Sequence, residues 1–268
     1  MAKIVFLGAG NMAGAMVHGL LAKQVVPPLD LACYTASGRS AAALASATGI
    51  RQASTPEDLL SGADLLVVAF KPQHLSSLTP EWKELTAGKL VLSIMSGKTL
   101  ARLHSVFPLA RNWVRTMPNT PGRIGAGITG WCAAHELTGT DRHTVQELLG
   151  ALGRELETTE ADLDAITAVS GSGPGFVFEF AAAMESAARD AGLGAAQARL
   201  LTVETLLGSA RLLARTGENP EQLRDQVTSP NGTTLAGLNT LKAGHFRALL
   251  SQTVLAARAR AREIAQEP

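Results

Sequence analysis

Aromatic side chains are scarce in this sequence: they make up 4% of its 268 residues, with a single tyrosine. A core with so few rings has to be filled by small and branched aliphatics, and Ala and Leu dominate in a way that suits close helix packing. Cysteine is as rare. Cys33 and Cys132 stand far apart and form no CxxC or ligand-like pair, which excludes a disulfide framework and fits free thiols in a reducing, cytoplasmic setting. Neither sign of charge prevails, with 24 Lys and Arg against 23 Asp and Glu, and no run of like charge occurs. Nothing therefore points to nucleic acid or to an anionic membrane surface. No apolar run reaches the roughly 20 residues needed to span a bilayer. The N-terminal MAKIVFLGAG makes a poor signal peptide, because a glycine-rich turn interrupts its short apolar segment. The six histidines, His18, His74 and His245 among them, show no HxxxH or mixed Cys/His spacing, so no metal site is expected. Repeats and low-complexity tracts are absent.

What is present changes character along the chain. Lys3–Leu7 (KIVFL) is a continuous apolar run ending in glycine, the mark of a buried parallel strand. A helical pattern follows to Leu21. Leu29–Thr35 reads as a second strand and Ser40–Thr48 as a helix. Asp64–Phe70 and Lys89–Ile94 are further buried strands, and Asn112–Met117 and Ile128–Ala133 weaker ones. Strands alternating with helices predict a doubly wound parallel α/β sheet. Beyond Thr158–Asp164 no convincing strand occurs. Pro174–Ala191, Ala195–Thr216, Thr234–Ala243 and Phe246–Ala265 read as helices, with Pro174 suited to a first turn. The expected boundary falls at about residue 160, with an α/β domain over 1–160 and an all-helical domain over 161–268.

The loop GAGNMAG offers Gly8, Gly10, Asn11, Met12 and Ala13 in a GxGxxA spacing. Alone the spacing is weak, and an ordinary glycine turn would also fit. Here it follows the first strand and opens a helix, which is the context that dinucleotide binding requires. Gly8 permits the turn, Gly10 lets the backbone approach a pyrophosphate, and Ala13 keeps helix and strand close. The second strand ends in CYTASGRS, where an NAD site would carry an acid. Thr35, Ser37 and Arg39 stand there instead. Hydroxyls and a guanidinium suit a 2′-phosphate, so NADPH is expected over NADH, with NADH still possible. Other chemistries fail. Ser96-Gly97-Lys98-Thr99 ends like a Walker A loop, but Leu92 occupies the first glycine position. Ser170-Gly171-Ser172-Gly173 is not GxSxG.

Five motifs in order, GAGNMA (8–13), AFKPQ (69–73), RTMPNTP (115–121), VSGSGPGF (169–176) and QVTSPNGTTLAGL (226–238), give the chain a resemblance to the pyrroline-5-carboxylate reductase family. They span nearly its whole length, and the last is the most specific. The resemblance implies a Rossmann domain followed by a helical dimerisation domain, and reduction of a cyclic imine to L-proline by NADPH or NADH. It also implies a homodimer or larger ring of dimers, with the small-molecule substrate bound where subunits interlock. Two rival readings share this plan: another NADP-dependent imine or carbonyl reductase, and a dinucleotide-binding protein without turnover.

Carried over residue by residue, the resemblance assigns Ser229, Asn231, Gly232, Thr233 and Thr234 to the substrate. Their loop enters a helix N-terminus, whose free N–H groups suit the ring carboxylate. Thr234 is expected to hydrogen-bond the ring nitrogen. A plain helix cap through Asn231 or Thr233 is the competing reading. Ala69, Phe70, Lys71 and Pro72 lie at the C-terminal end of the strand Asp64–Phe70, the ligand-binding edge of the sheet, where the resemblance implies that they line the ribose and nicotinamide side of the cofactor. Lys71 either sets a local positive potential or is a solvated lysine. Met95, Ser96 and Gly97 lie at the same edge and are also expected to touch the cofactor, though the family usually has Ala-Ala-Gly there. Phe176 replaces a usual tyrosine, and Asn231 a usual glycine that a left-handed asparagine can mimic. No general acid emerges.

Overall fold

A computed structural model describes residues 2–266. They divide into a sheet-containing unit, running up to Ser172 and resuming at Ala257, and a helical unit over Gly173–Ala256.

The sheet unit begins with β1 (Ile4–Leu7), α1 (Asn11–Ala22), β2 (Leu31–Tyr34), α2 (Arg39–Thr48), β3 (Arg51–Gln52), α3 (Pro56–Leu60) and β4 (Leu65–Val68). It continues through α4 (Glu81–Leu85), β5 (Leu90–Ser93), α5 (Leu100–Val106), β6 (Asn112–Met117), β7 (Gly127–Ala133), α6 (Gly139–Gly150), β8 (Gly153–Glu157) and α7 (Leu163–Ile166). The strands form one sheet in the order β3-β2-β1-β4-β5-β6-β7-β8. It is parallel from β3 to β6; β7 runs antiparallel to β6, and β8 parallel to β7. The expected parallel sheet is thus present with its last two strands reversed.

Alternation along β1 shows why helices cover both faces. Ile4 and Phe6 join Ala13, Met16, Val17 and Leu20 of α1 in one apolar layer. Val5 and Leu7 enter a second layer with Leu59, Leu103 and Trp82. The four buried residues of α1 fall at helical spacing on one stripe. Threonines set helix starts: Thr55, Thr99 and Thr138 accept N–H bonds from Asp58, Arg102 and Asp141.

An ion pair sits at the opposite edge of the sheet from the Gly8 loop. Arg111 grips Asp141 with two hydrogen bonds, Nε to Oδ2 at 3.1 Å and Nη2 to Oδ1 at 2.6 Å. The Arg111 hydrogen bond holds the Asp141 carboxyl below the ordinary carboxylate range against the opposing effect of burial. A carboxyl whose folded pKa is depressed stabilises the fold above its unfolded pKa, and the contribution disappears as pH falls through the folded value. Asp141→Asn is therefore expected to lower the melting temperature at pH 7, with the deficit narrowing as pH falls below the ordinary carboxylate pKa. Melts across pH 3–7 check this; a constant offset at all pH values refutes it.

The second unit contains α8 (Gly173–Asp190), α9 (Ala195–Thr216), α10 (Pro220–Gln226), α11 (Thr233–Ala243) and the first part of α12 (Phe246–Gln266). The helix α8 is entered through a π-turn at Thr167–Gly171. Within this unit α8 and α9 pack on each other. Few side chains are buried: none in α8 or α11, and only Ala198 and Thr202 in α9. Phe178 is 63% exposed and Leu200 62%. Apolar exposure on this scale marks an association surface.

Candidate active site

The turn after β1 shows why its residues are glycines. Gly8 has φ +115, and a Cβ there would lie 2.5 Å from the carbonyl of Ala69. The glycine thus serves the contact with the residue after β4 as well as the turn. Around Gly10 the space is open, and a Cβ there would meet nothing within 4 Å. It is the N-cap of α1, which has no side-chain cap and no acid in its first turn. Free N–H groups and a partial positive charge face that opening. Ala13 lies on the buried face of α1, packed against β1.

A cleft of about 760 Å³ opens beside this turn. Of the residues expected at the cofactor, Gly8, Gly10, Thr35, Ser37, Ala69, Phe70 and Lys71 line it. Thr35 Oγ1 is buried and has no hydrogen-bond partner, so the cleft wall carries an unsatisfied hydroxyl where β2 ends. An open glycine cradle, an uncapped helix start and an orphaned hydroxyl fit a phosphate-bearing nucleotide. Arg39 is exposed and outside the lining; Ser40, in the first turn of α2, lines it instead. Tyr34, His74 and Trp82 also contribute, with the Tyr34 and Trp82 rings 6.5 Å apart. Ser40 ends the stretch CYTASGRS but is not singled out by it, and no motif signals Trp82, which α4 brings in.

Asn11, Met12, Pro72, Met95, Ser96 and Gly97 do not line this cleft. Pro72 opens a 3-10 turn. Met95 is buried in the second apolar layer, its N–H donating to Ser93 Oγ at 3.1 Å. Gly97 has φ +76 and abuts Ile264.

The stretch 229–234 belongs to the helical unit. Asn231 takes φ +58, the left-handed conformation expected of it. Gly232 is the N-cap of α11, so neither Asn231 nor Thr233 caps the helix, and its first turn carries no acid. A Cβ on Gly232 would meet Ser229 Oγ at 2.3 Å; the glycine keeps the turn closed on Ser229. Thr233 and Thr234 are exposed. An uncapped, uncharged helix start flanked by hydroxyls suits a carboxylate.

Thiol chemistry has no place at either site. Burial pushes the Cys33 thiol up to about 11, and burial, aided by Glu160, does the same to Cys132. Both stay protonated at neutral pH.

Comparison with known proteins gives this geometry a lineage. Residues 160–264 match the family model described as pyrroline-5-carboxylate reductase dimerisation, and residues 3–97 one described as NADP oxidoreductase, coenzyme F420-dependent. A pyrroline-5-carboxylate reductase of Arabidopsis thaliana is 35% identical over 98% of this chain and 96% of its own length. The chain belongs to the pyrroline-5-carboxylate reductase family. Among solved structures, the family member from Coxiella burnetii superposes with a TM-score of 0.92 at 32% identity, covering 99% of each chain. The Plasmodium falciparum pyrroline carboxylate reductase, solved with NADP bound, gives 0.87 at 28% identity over 99% of this chain and 98% of that one. Family membership accounts for the exposed apolar helices: the segment that carries them is the one the dimerisation model matches.

Proposed function

We propose that this chain reduces 1-pyrroline-5-carboxylate to L-proline with NADPH, the final step of proline biosynthesis. One observation carries the reading beyond family membership. The chain pairs an uncapped Gly10 cradle on its sheet with a second uncapped helix start at Gly232, flanked by Ser229, Thr233 and Thr234. One suits a nucleotide pyrophosphate and the other a small carboxylate.

The amides of Thr233, Thr234 and Leu235 hold the ring carboxylate, and the Thr234 hydroxyl orients the ring nitrogen. When bound, the reduced nicotinamide supplies a hydride from C4. The imine nitrogen enters protonated, so its carbon is already electrophilic. Hydride addition converts it to the secondary amine, with NADP⁺ as the other product. No side-chain acid is required, and the protein contributes chiefly positioning. Glu179, Asp225 and the histidines have no proton role in this scheme. The association surface of α8 and α9 serves a homodimer, or a ring of dimers, working in the cytoplasm.

The test is oxidation of NADPH and NADH, followed by absorbance, with pyrroline-5-carboxylate as substrate. NADPH consumption that depends on substrate is expected; cofactor binding without turnover would refute the reading, and preference for unrelated cyclic imines would redirect it. Cofactor choice is tested at Thr35. Asp at this wall position sets a carboxylate against the 2′-phosphate, so Thr35→Asp should raise the KM for NADPH about tenfold or more and spare NADH. Arg39→Ala, outside the cleft lining, should change either KM by less than about threefold on the scale of an exposed charge.

A further inference from the structure

One group of charges goes unused by the proposed reaction. Arg115 lies within β6, in register with Ser93 of β5 and Cys132 of β7. Its side chain is only 6% exposed. A guanidinium withdrawn from water is costly unless its donors are satisfied. Nη1 donates to Glu160 Oε1 at 3.1 Å and Nη2 to Asp164 Oδ1 at 3.4 Å. Each acid reaches further. Glu160 Oε1 also accepts the backbone N–H of Leu100 at 2.7 Å, the first residue of α5, just past the turn Met95–Thr99. Asp164 Oδ2 faces Arg262 Nε of α12 at 3.9 Å. Further along α12, Ile264 returns to the same turn, where a Cβ on Gly97 would lie 2.5 Å from its Cγ2.

These contacts close a ring from the turn through Glu160, Arg115, Asp164, Arg262 and Ile264 back to the turn. Every member belongs to the sheet unit. The enclosed segment has no helix or strand of its own, and Gly97 sits at φ +76, so the turn depends on its surroundings. An exposed ion pair would matter little. Here the central cation is buried, and Glu160 makes a charge-assisted bond to a backbone amide.

We infer that Arg115 and Glu160 are positioning residues for hydride transfer. They hold the Met95–Gly97 turn in place from outside the site. The inference rests on the proposed reaction and on the expectation, from the family resemblance, that Met95, Ser96 and Gly97 meet the cofactor beside the cleft that Gly8 and Gly10 line. A displacement of about 1 Å at a reacting group can cost on the order of 100-fold in rate.

Two measurements on Glu160→Ala test this. In the protein without cofactor, amide hydrogen exchange across residues 95–100 is expected to quicken at least tenfold, with a β1 peptide unchanged. With NADPH and pyrroline-5-carboxylate, kcat should fall about ten- to hundredfold. The KM for pyrroline-5-carboxylate should move less than about threefold, and the isotope effect from NADPH deuterated at the transferred position should rise, as expected when chemistry alone slows. Glu160→Gln keeps an acceptor for the Leu100 amide and should recover most of the rate. Arg262→Met, at a side chain 56% exposed, probes the ring without stranding a buried charge and should shift exchange and kcat in the same direction, by less. Wild-type exchange in the turn for both Glu160→Ala and Arg262→Met, or faster exchange with unchanged kcat and isotope effect, would overturn the inference. A wild-type protein that does not oxidise NADPH with this substrate overturns the functional reading and the inference together; turnover that the variants match overturns the inference alone.

Discussion

Gly8→Ala should lower the melting temperature of this protein by about 10 °C or more, whereas Gly10→Ala, two residues away, should leave it within about 2 °C. The contrast follows from what each Cβ meets. At Gly8 the new methyl would lie 2.5 Å from both the carbonyl carbon and oxygen of Ala69 and 2.8 Å from the N–H nitrogen of Phe70, at φ +115. All three atoms are backbone and cannot rotate aside. The conformation costs about 1–3 kcal/mol for a residue with a side chain, and forced displacement of a packed neighbour about as much again. Together they approach the lower end of a domain's whole stability, about 5 kcal/mol. Because Ala69 follows β4 and pairs with Leu7 through its N–H, the strain would separate the two central strands. At Gly10 nothing lies within 4 Å and φ is −80. Its alanine variant should fold and instead bind NADPH more weakly, about tenfold for the loss of one close phosphate approach. Melting followed by circular dichroism and NADPH titration separate the two. Equal melting temperatures would show that the β1–β4 contact tolerates a side chain.

The same loop shows how far the sequence could be read. A continuous apolar run, a glycine turn and a helical stripe occur in order at residues 3–21, and each reflects a local rule, so β1 and α1 were legible. The helix α9 matched its expected bounds because Gly194 and Gly217 punctuate it at both ends. Elements whose cause is not local were missed. Strand β8 reads Gly-Arg-Glu-Leu-Glu and is largely exposed, as edge strands often are, so it shows no apolar alternation. Strand β3 has two residues, both exposed, and exists only because β2 offers an edge. The reversal of β7 and β8 depends on connections rather than on strand composition. The sequence predicts no helix at VSGSG, ahead of Pro174, yet Thr167–Gly171 is a π-turn: Ser172 N–H bonds to the Thr167 carbonyl at 2.8 Å, and a Cβ on Gly171 would strike Met117 Cε at 2.5 Å. The glycine there serves close packing. Near the candidate sites, the motifs include residues whose backbone is special, Gly8, Asn231 and Gly232, together with the open N-cap Gly10. They did not locate Trp82, which reaches the cleft through the tertiary course of α4, and they favoured Arg39 over its neighbour Ser40, because the sequence does not show which residue of the first turn of α2 faces the cleft. The periodicity of α12 could not reveal that its last turns pack with the sheet unit, since a helical stripe does not name its partner.

Thr234→Ala should reduce kcat/KM for pyrroline-5-carboxylate about 10- to 100-fold while NADPH affinity changes less than about twofold. The range comes from one hydrogen bond to a charged group, worth about 1.5–3 kcal/mol, at 1.4 kcal/mol per factor of ten. Folding cannot be the cause. Thr234 is exposed in the chain and lies in the first turn of α11, where alanine is at least as good a helix former as threonine. Thr233 is exposed at the start of the same helix; in the proposed scheme it offers a backbone amide but no contact with the ring nitrogen, so Thr233→Ala should cost less than Thr234→Ala. Thr234→Ser keeps the hydroxyl and should restore most of the rate. That pattern, a deficit in the alanine variant, recovery in the serine variant and unchanged NADPH binding, belongs to a hydroxyl that meets substrate. If Thr234→Ala turns over normally, the ring nitrogen is oriented by another group. If Thr234→Ser is as poor as Thr234→Ala, the threonine acts through its methyl, and the carboxylate is held at the α11 amides without help from the hydroxyl.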